Sequence, residues 1–178
     1  MTGLVWSQEF SVASVEELQG AATSIGSRLA AGDLLILIGE LGAGKTTFTQ
    51  GLGRGLGVRE GIISPTFVLV RNHPSLADGP ALVHVDAYRL ESDSEIDDLD
   101  LESTLDSSVT VVEWGSGRVE HLAESWLHIT LVRPAASPAA GSPAGQAAPT
   151  DDDDDEPRRV RIEAFGPRWV DQQLGALV

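Results

Sequence analysis

Three features of the sequence predict an α/β domain of three layers, with a mostly parallel central sheet, helices on both faces and antiparallel additions. The first is "LLILI", Leu34–Ile38, an apolar run too short for a helix and bounded by Gly32 and Gly39, which reads as a strand buried on both faces. The second is "GELGAGKTT", Gly39–Thr47, which follows at once. Its Gly39, Gly44, Lys45 and Thr46 match G-x-x-x-x-G-K-[ST], a phosphate-binding loop between strand and helix. The third is the recurrence of strand patterns separated by turns and helical stretches along the rest of the chain.

Each element follows from its residues. "LVWSQEFSV" alternates as an opening strand. Ser14, with Glu17 three places on, signals a capping box for a helix running to about Ala31, where Gly32 stops it. After the glycine loop, Thr46 to about Leu56 reads as a helix. Its Gly51, Gly53 and Gly55 each cost about 1 kcal/mol relative to alanine, so packing or a ligand must compensate. "ALVHVDAY", "VTVVEW" and "WLHITL" are further strands, making at least five. Between the first two lies an acidic, partly helical stretch from Glu91 to Asp106, and after the second a turn with Gly115 and Gly117. "RNHPSLADG" fits no pattern.

Composition shifts at "RPAASPAAGSPAGQAAPTDDDDDEP", where Pro, Gly, Ser and Ala give way to six acids, too little apolar surface to order a segment. Pro134 to Pro157 is therefore expected to be a disordered insert, with residues 1–133 a phosphate-loop (P-loop) domain that residues 158–178 complete. "RRVRIEAF" resumes as an alternating strand, and "RWVDQQLGALV" as a terminal helix with Trp169, Val170 and Leu174 on one face. If the strands flanking the insert pair, it is a long hairpin loop, whose closure cost grows only logarithmically with length. A solvated loop is the reading favoured over a partner-binding tail.

The 178 residues suit one domain of ordinary size. Acids outnumber Lys and Arg 27 to 12, a net charge of −15, so long-range attraction to nucleic acid is not expected of this chain alone. Without cysteine there are no disulfides, thiolate zinc sites or cysteine nucleophile. No leader pattern or membrane-length apolar run is present, so a soluble, cytoplasmic protein is expected.

Lys45 is the only lysine in the chain. Glycines let backbone N–H groups turn inward around a phosphate, and the helix that follows adds the positive end of its dipole. A compact ammonium on a flexible stem can follow the β- and γ-phosphates, whereas a planar guanidinium is too large for that nest. Elsewhere positive charge need only face water or an acid, and arginine serves. The Thr46 hydroxyl is placed to ligate Mg²⁺. Phosphoryl transfer further needs a carboxylate near the metal and a group that orients water. Asp86, in "HVDAYR" with His84 and Tyr88 on its face, and Glu113, in "VVEWG", stand at carboxyl ends of strands where such groups belong. His84 is weighed as a metal ligand beside Asp86, but a strand histidine is more often packed or hydrogen-bonded. Thr66 in "ISPTF" either senses the γ-phosphate or occupies an ordinary turn, and Trp114 is a core aromatic or a lid, the core being favoured by sequence alone.

Guanine specificity is disfavoured, because an Asn-Lys-x-Asp signature needs a second lysine. A small-molecule kinase would carry an arginine-rich lid, yet Glu91–Asp106 is acidic and only Arg118 lies in the next turn. Water or a regulatory role fits better than an anionic acceptor.

"GELGAGKTT", "SPTF", "HVDAYRL" and "VVEWG", in this order and at these intervals, resemble the TsaE family (formerly YjeE), the ATPase component of bacterial threonylcarbamoyladenosine synthesis on tRNA. The resemblance covers roughly Ser14 to Leu131. It implies a P-loop NTPase-like three-layer domain that binds ATP and Mg²⁺, hydrolyses ATP slowly alone, and works with TsaB and TsaD homologues, which would hold the tRNA. ATP turnover would reset that complex between cycles of threonylcarbamoyl transfer by TsaD. By this resemblance the nucleotide is bound by Glu40, Leu41, Gly42, Ala43, Gly44, Lys45, Thr46 and Thr47 of the loop, with Thr66 of a switch-like loop and Trp114. Lys45, Asp86 and Glu113 would be catalytic, Asp86 as a Walker-B-like metal contact and Glu113 activating water. Thr46, Asp86 and Glu113 would surround the metal. The Pro/Ala and aspartate insert lies outside the family's usual short C-terminal end.

Overall fold

The computed structural model describes residues 2–65, 69–134 and 156–172. Seven strands form one sheet in the order β1-β7-β6-β2-β5-β4-β3. They are β1 (Leu4–Val12), β2 (Leu34–Ile38), β3 (Val70–His73), β4 (Ala81–Asp86), β5 (Ser108–Glu113), β6 (Trp126–Val132) and β7 (Arg158–Phe165). The four central strands, β6-β2-β5-β4, run parallel, while β7 and β1 on one side and β3 on the other are antiparallel additions. Helices α1 (Val15–Gly26) and α2 (Lys45–Leu56) cover one face, and the short α3 (Asp93–Asp97) and α4 (Glu102–Leu105) the other. The expected three-layer α/β architecture is thus present.

β2 shows why a parallel centre needs an unbroken apolar run. Leu35 and Leu37 join the core under α1 and α2, Leu34 and Ile36 the core under α3 and α4, and all four are fully buried. Its partners are β5 on one side and β6 on the other.

The glycines of α2 lie where helices cross. A Cβ on Gly51 would come within 2.6 Å of both the Gln19 carbonyl and the Ala22 side chain, and one on Gly55 would run into the Thr23 carbonyl. Thr23 Oγ1 donates to the Gly51 carbonyl at 3.1 Å across the same crossing. Close contact between α1 and α2 therefore offsets the low helix propensity. Gly55→Ala is expected to destabilise the protein by about 1–3 kcal/mol, because the two helices must separate. Gly20→Ala should act in the opposite sense by about 1 kcal/mol, since Gly20 is an exposed α1 position with no atom within 4 Å of an added Cβ. Urea denaturation of both variants checks the pair.

Several sequence expectations need correction. α1 ends at Gly26 instead of Ala31. The chain leaves it through a turn fixed by Asp33, whose carboxylate accepts from Ala30 N at 2.8 Å and pairs with Arg168 at 3.1 and 3.3 Å. Gly32, at φ 96, opens β2 rather than stopping the helix. Only half of the capping box forms at Ser14. Glu17 N donates to Ser14 Oγ, but the Glu17 carboxylate accepts from Ala13 N. α2 begins at Lys45, one residue early. β3, drawn partly from the unmapped "RNHPSLADG", was not expected. It is a four-residue edge strand of mostly polar letters, whose partner β4 alone defines it.

At the C-terminus Pro167–Trp169 is a 3₁₀ turn. Trp169 is buried and Val170 is exposed, so they do not share a face, and Leu174 lies outside the described residues. The flanking strands of the insert do pair, from Trp126↔Phe165 to Val132↔Arg159, so the insert connects a hairpin. Residues 135–155, on which the expectation of disorder falls, lie outside the described residues. Among the described residues no helix is long and apolar enough to cross a membrane.

Candidate nucleotide site

The carboxyl end of the parallel strands carries a cleft of about 400 Å³. Its floor is the glycine loop. Gly42 and Gly44 have φ of 78 and 104, left-handed values that let the backbone curl where a side chain would be strained. Gly44 occupies the cap position of α2 without a side-chain cap, so the first N–H groups of that helix point into the loop with no protein side chain satisfying them. That is the anion nest the motif predicts.

Lys45 is nearly buried and reaches back along the loop, its Nζ donating to the Gly39 carbonyl at 2.6 Å and the Glu40 carbonyl at 2.9 Å. The ammonium also lies 4.4 Å from the centre of the Trp114 ring. Burial lowers the Lys45 pKa below its ordinary value, against the opposing pull of the Glu113 and Asp86 charges.

The two carboxylates come together through sheet register. Asp86 and Glu113 are direct partners across β4 and β5, and Ala87 N donates to the Glu113 carbonyl at 3.0 Å. Asp86 Oδ1 accepts from Tyr88 N at 3.0 Å, fixing one oxygen, and Glu113 Oε1 is buried with no hydrogen-bond partner. Thr46 lines the same cleft. Two carboxylates and a hydroxyl suit a hard divalent ion that keeps part of its shell for phosphate and water. Among the described residues no three His, Cys, Asp or Glu gather to form a cage of their own. The donor set therefore fits a magnesium ion shared with a bound triphosphate.

Leu41, Gly42, Gly44, Lys45, Thr46, Thr47, Asp86, Glu113 and Trp114 all line the cleft. Glu40 does not; with Gly39 and Trp114 it borders a second, more apolar hollow. Ala43 is buried behind the loop, and its carbonyl accepts from Arg158 Nε at 3.2 Å. Thr66 lies outside the described residues, while Ser64, two places before it, lines the cleft.

Trp114 is not a core residue as sequence alone favoured. It is 36% exposed, packs against Tyr88 with ring centres 5.1 Å apart, and closes over Lys45. Its φ of 62 is strained for an aromatic side chain, a cost of order 1–3 kcal/mol found chiefly where function requires it. Tyr88 shares the cleft with Asp86 but lies beyond β4, which ends at Asp86.

Sequence reasoning missed Arg133 and Arg158, which line the cleft from the two ends of the insert. Glu156 pairs with both, at 3.0 Å to Arg133 and 3.5 Å to Arg158. One signal was available: once β6 and β7 are read as a hairpin antiparallel to each other, the arginine just after β6 and the one that opens β7 must meet at the carboxyl end of β6, beside the loop.

Comparison with known proteins bears on the family. A family model described as "Threonylcarbamoyl adenosine biosynthesis protein TsaE" matches residues 12–138. A Streptomyces coelicolor protein named "tRNA threonylcarbamoyladenosine biosynthesis protein TsaE" is 51% identical over 158 residues, covering 86% of this chain and 97% of that one. Its Mycobacterium tuberculosis H37Rv namesake is 44% identical over 126 residues, 67% of this chain and 75% of that one. The crystal structure of Bacillus subtilis YdiB superposes with a TM-score of 0.63 at 27% identity, covering 95% of this chain and 90% of that one. With a family model spanning most of its length and a relative matched over half identity nearly end to end, the chain belongs to the TsaE family.

Proposed function

We propose that this protein is the Mg²⁺-dependent, ATP-binding and ATP-hydrolysing subunit of the complex that installs threonylcarbamoyl on the adenosine next to the anticodon of tRNAs reading codons that begin with A. It acts in the cytoplasm with TsaB and TsaD. The observation that carries this reading is the pairing of Asp86 with Glu113 at adjacent strand ends, beside a loop whose single lysine is held among backbone carbonyls.

Each residue has a task in that reaction. The loop amides and Lys45 hold the β- and γ-phosphates, and Trp114 covers the ammonium and excludes water from one side of it. Thr46 and Asp86 would hold the metal, which would supply positive charge to offset the charge that develops on the phosphoryl group. Glu113, which lines the cleft, accepts a proton from the attacking water and aligns it. No second anionic substrate is needed, which suits the acidic surround of the chain. The net charge of −15 also suits a subunit whose partners hold the tRNA.

The test is to mix the full-length chain with TsaB and TsaD from the same organism and follow ADP release. The rate should rise severalfold above that of the chain alone. A rate unchanged by the partners would overturn the assignment to that complex.

A further inference from the structure

His84 is a fully buried ionisable side chain next to the site that the mechanism above leaves without a task. It lies on β4 two residues before Asp86 and is completely buried. Leu82 of the same strand packs into the core under α1 and α2, whereas Val83 and Val85 belong to the opposite core, so His84 shares the face toward the phosphate loop. Neither ring nitrogen has a hydrogen-bond partner. A buried imidazole with two unpaired nitrogens is costly, and native structures rarely keep one without a reason. The nearest polar group is functional: His84 Nε2 stands 3.7 Å from Glu113 Oε2, with both side chains out of reach of solvent. Glu113 Oε1 is likewise without a partner. Arg71 and His73 of β3, Lys45 of α2 and Asp86 are the other ionisable groups in this neighbourhood.

Resting on the ATPase reading, we infer that His84 is a positioning residue for Glu113: its Nε2–H, beside Glu113 Oε2 and shielded from solvent, holds the carboxylate in the orientation from which it acts on the attacking water. The separation of 3.7 Å is longer than a hydrogen bond. Such contacts commonly lengthen in the unliganded protein and tighten when substrate assembles the site. A carboxylate at a strand end has a free χ2 and χ3, and with Glu113 Oε1 unbonded no other described side chain fixes its plane. An outer partner of this kind affects rate while leaving substrate binding to the loop.

The experiment measures turnover and Mg²⁺·ATP affinity separately for wild type, His84→Phe and His84→Gln in the full-length protein. Phe keeps a planar ring without a donor, and Gln returns an N–H near the Nε2 position. His84→Phe should lower kcat by about 10- to 100-fold with Kd for Mg²⁺·ATP within about threefold of wild type, and His84→Gln should recover most of the rate. Wild-type turnover in His84→Phe, or equal loss in both variants, overturns the positioning role while leaving the ATPase reading intact. No turnover by wild type overturns both.

A second measurement does not depend on the folding of His84 variants. The ¹⁵N ring signals of the four histidines, compared between wild type and Glu113→Gln, should show a change for His84 alone; unchanged signals overturn the contact.

Discussion

Lys45→Met abolishes uptake of Mg²⁺·ATP by calorimetry and leaves the protein at least as stable as wild type. The two halves of this expectation have separate causes. In binding, the ammonium is the only mobile cation in the loop, and it supplies charge-assisted hydrogen bonds worth about 1.5–3 kcal/mol each. Losing two of them weakens affinity by at least roughly 100-fold. In stability, the site holds this charge at a cost. Burial is the largest influence on Lys45 and lowers its pKa, outweighing the attraction of Glu113 and Asp86. Below the lowered value in the folded state the penalty is present in full. As pH climbs from there to the ordinary lysine value of 10.5, the unfolded chain holds the proton that the folded chain has lost, and stability rises. Methionine keeps the volume of the stem without the charge, so the variant lacks both the penalty and that rise. Thermal melts across pH together with titration calorimetry check the pair. Retained affinity would remove the phosphate site, and a large loss of stability would mean that the lysine is structural.

This lysine also marks how far the sequence can be read. The loop and its flanking strand and helix were legible because each rests on local rules: an apolar run buried on both faces, glycines that free the backbone, and a cap position next to a nest of amides. Asp86 and Glu113 were legible as strand ends. Their meeting depends on β4 and β5 being parallel neighbours, which no local pattern states. The places that misled are those where distant contacts decide. α1 stops early because Asp33 and Arg168, far apart in the chain, pin the following turn. β3 exists only because β4 offers it an edge. Trp114 looks like a core residue by type, and only its left-handed backbone, set by the turn after β5, swings it over Lys45. Arg133 and Arg158 are separated by the insert and meet only through the β6–β7 register.

Glu113→Gln should slow ATP hydrolysis by about 10²- to 10⁴-fold, the range expected when a positioned base is removed, with Mg²⁺·ATP affinity close to wild type. Affinity should survive because the loop, Lys45, Thr46 and Asp86 are untouched and glutamine keeps an oxygen where the carboxylate stood. The substitution therefore separates holding ATP from cleaving it. That separation bears on the role in the tRNA-modifying complex, since a subunit that resets its partners by turnover differs from one that signals by nucleotide binding alone. With TsaB, TsaD, tRNA and Mg²⁺·ATP present, Glu113→Gln should permit no more than a single round of threonylcarbamoyl transfer if hydrolysis does the resetting. Continued modification at the wild-type rate, with hydrolysis absent, would make this chain a nucleotide-dependent regulatory module and the buried carboxylate an anchor for the metal instead of a base. The unpaired Glu113 Oε1 suits either role, as a ligand for the cation or as an acceptor of a proton from water, so the rate of modification by Glu113→Gln is what separates turnover from anchoring.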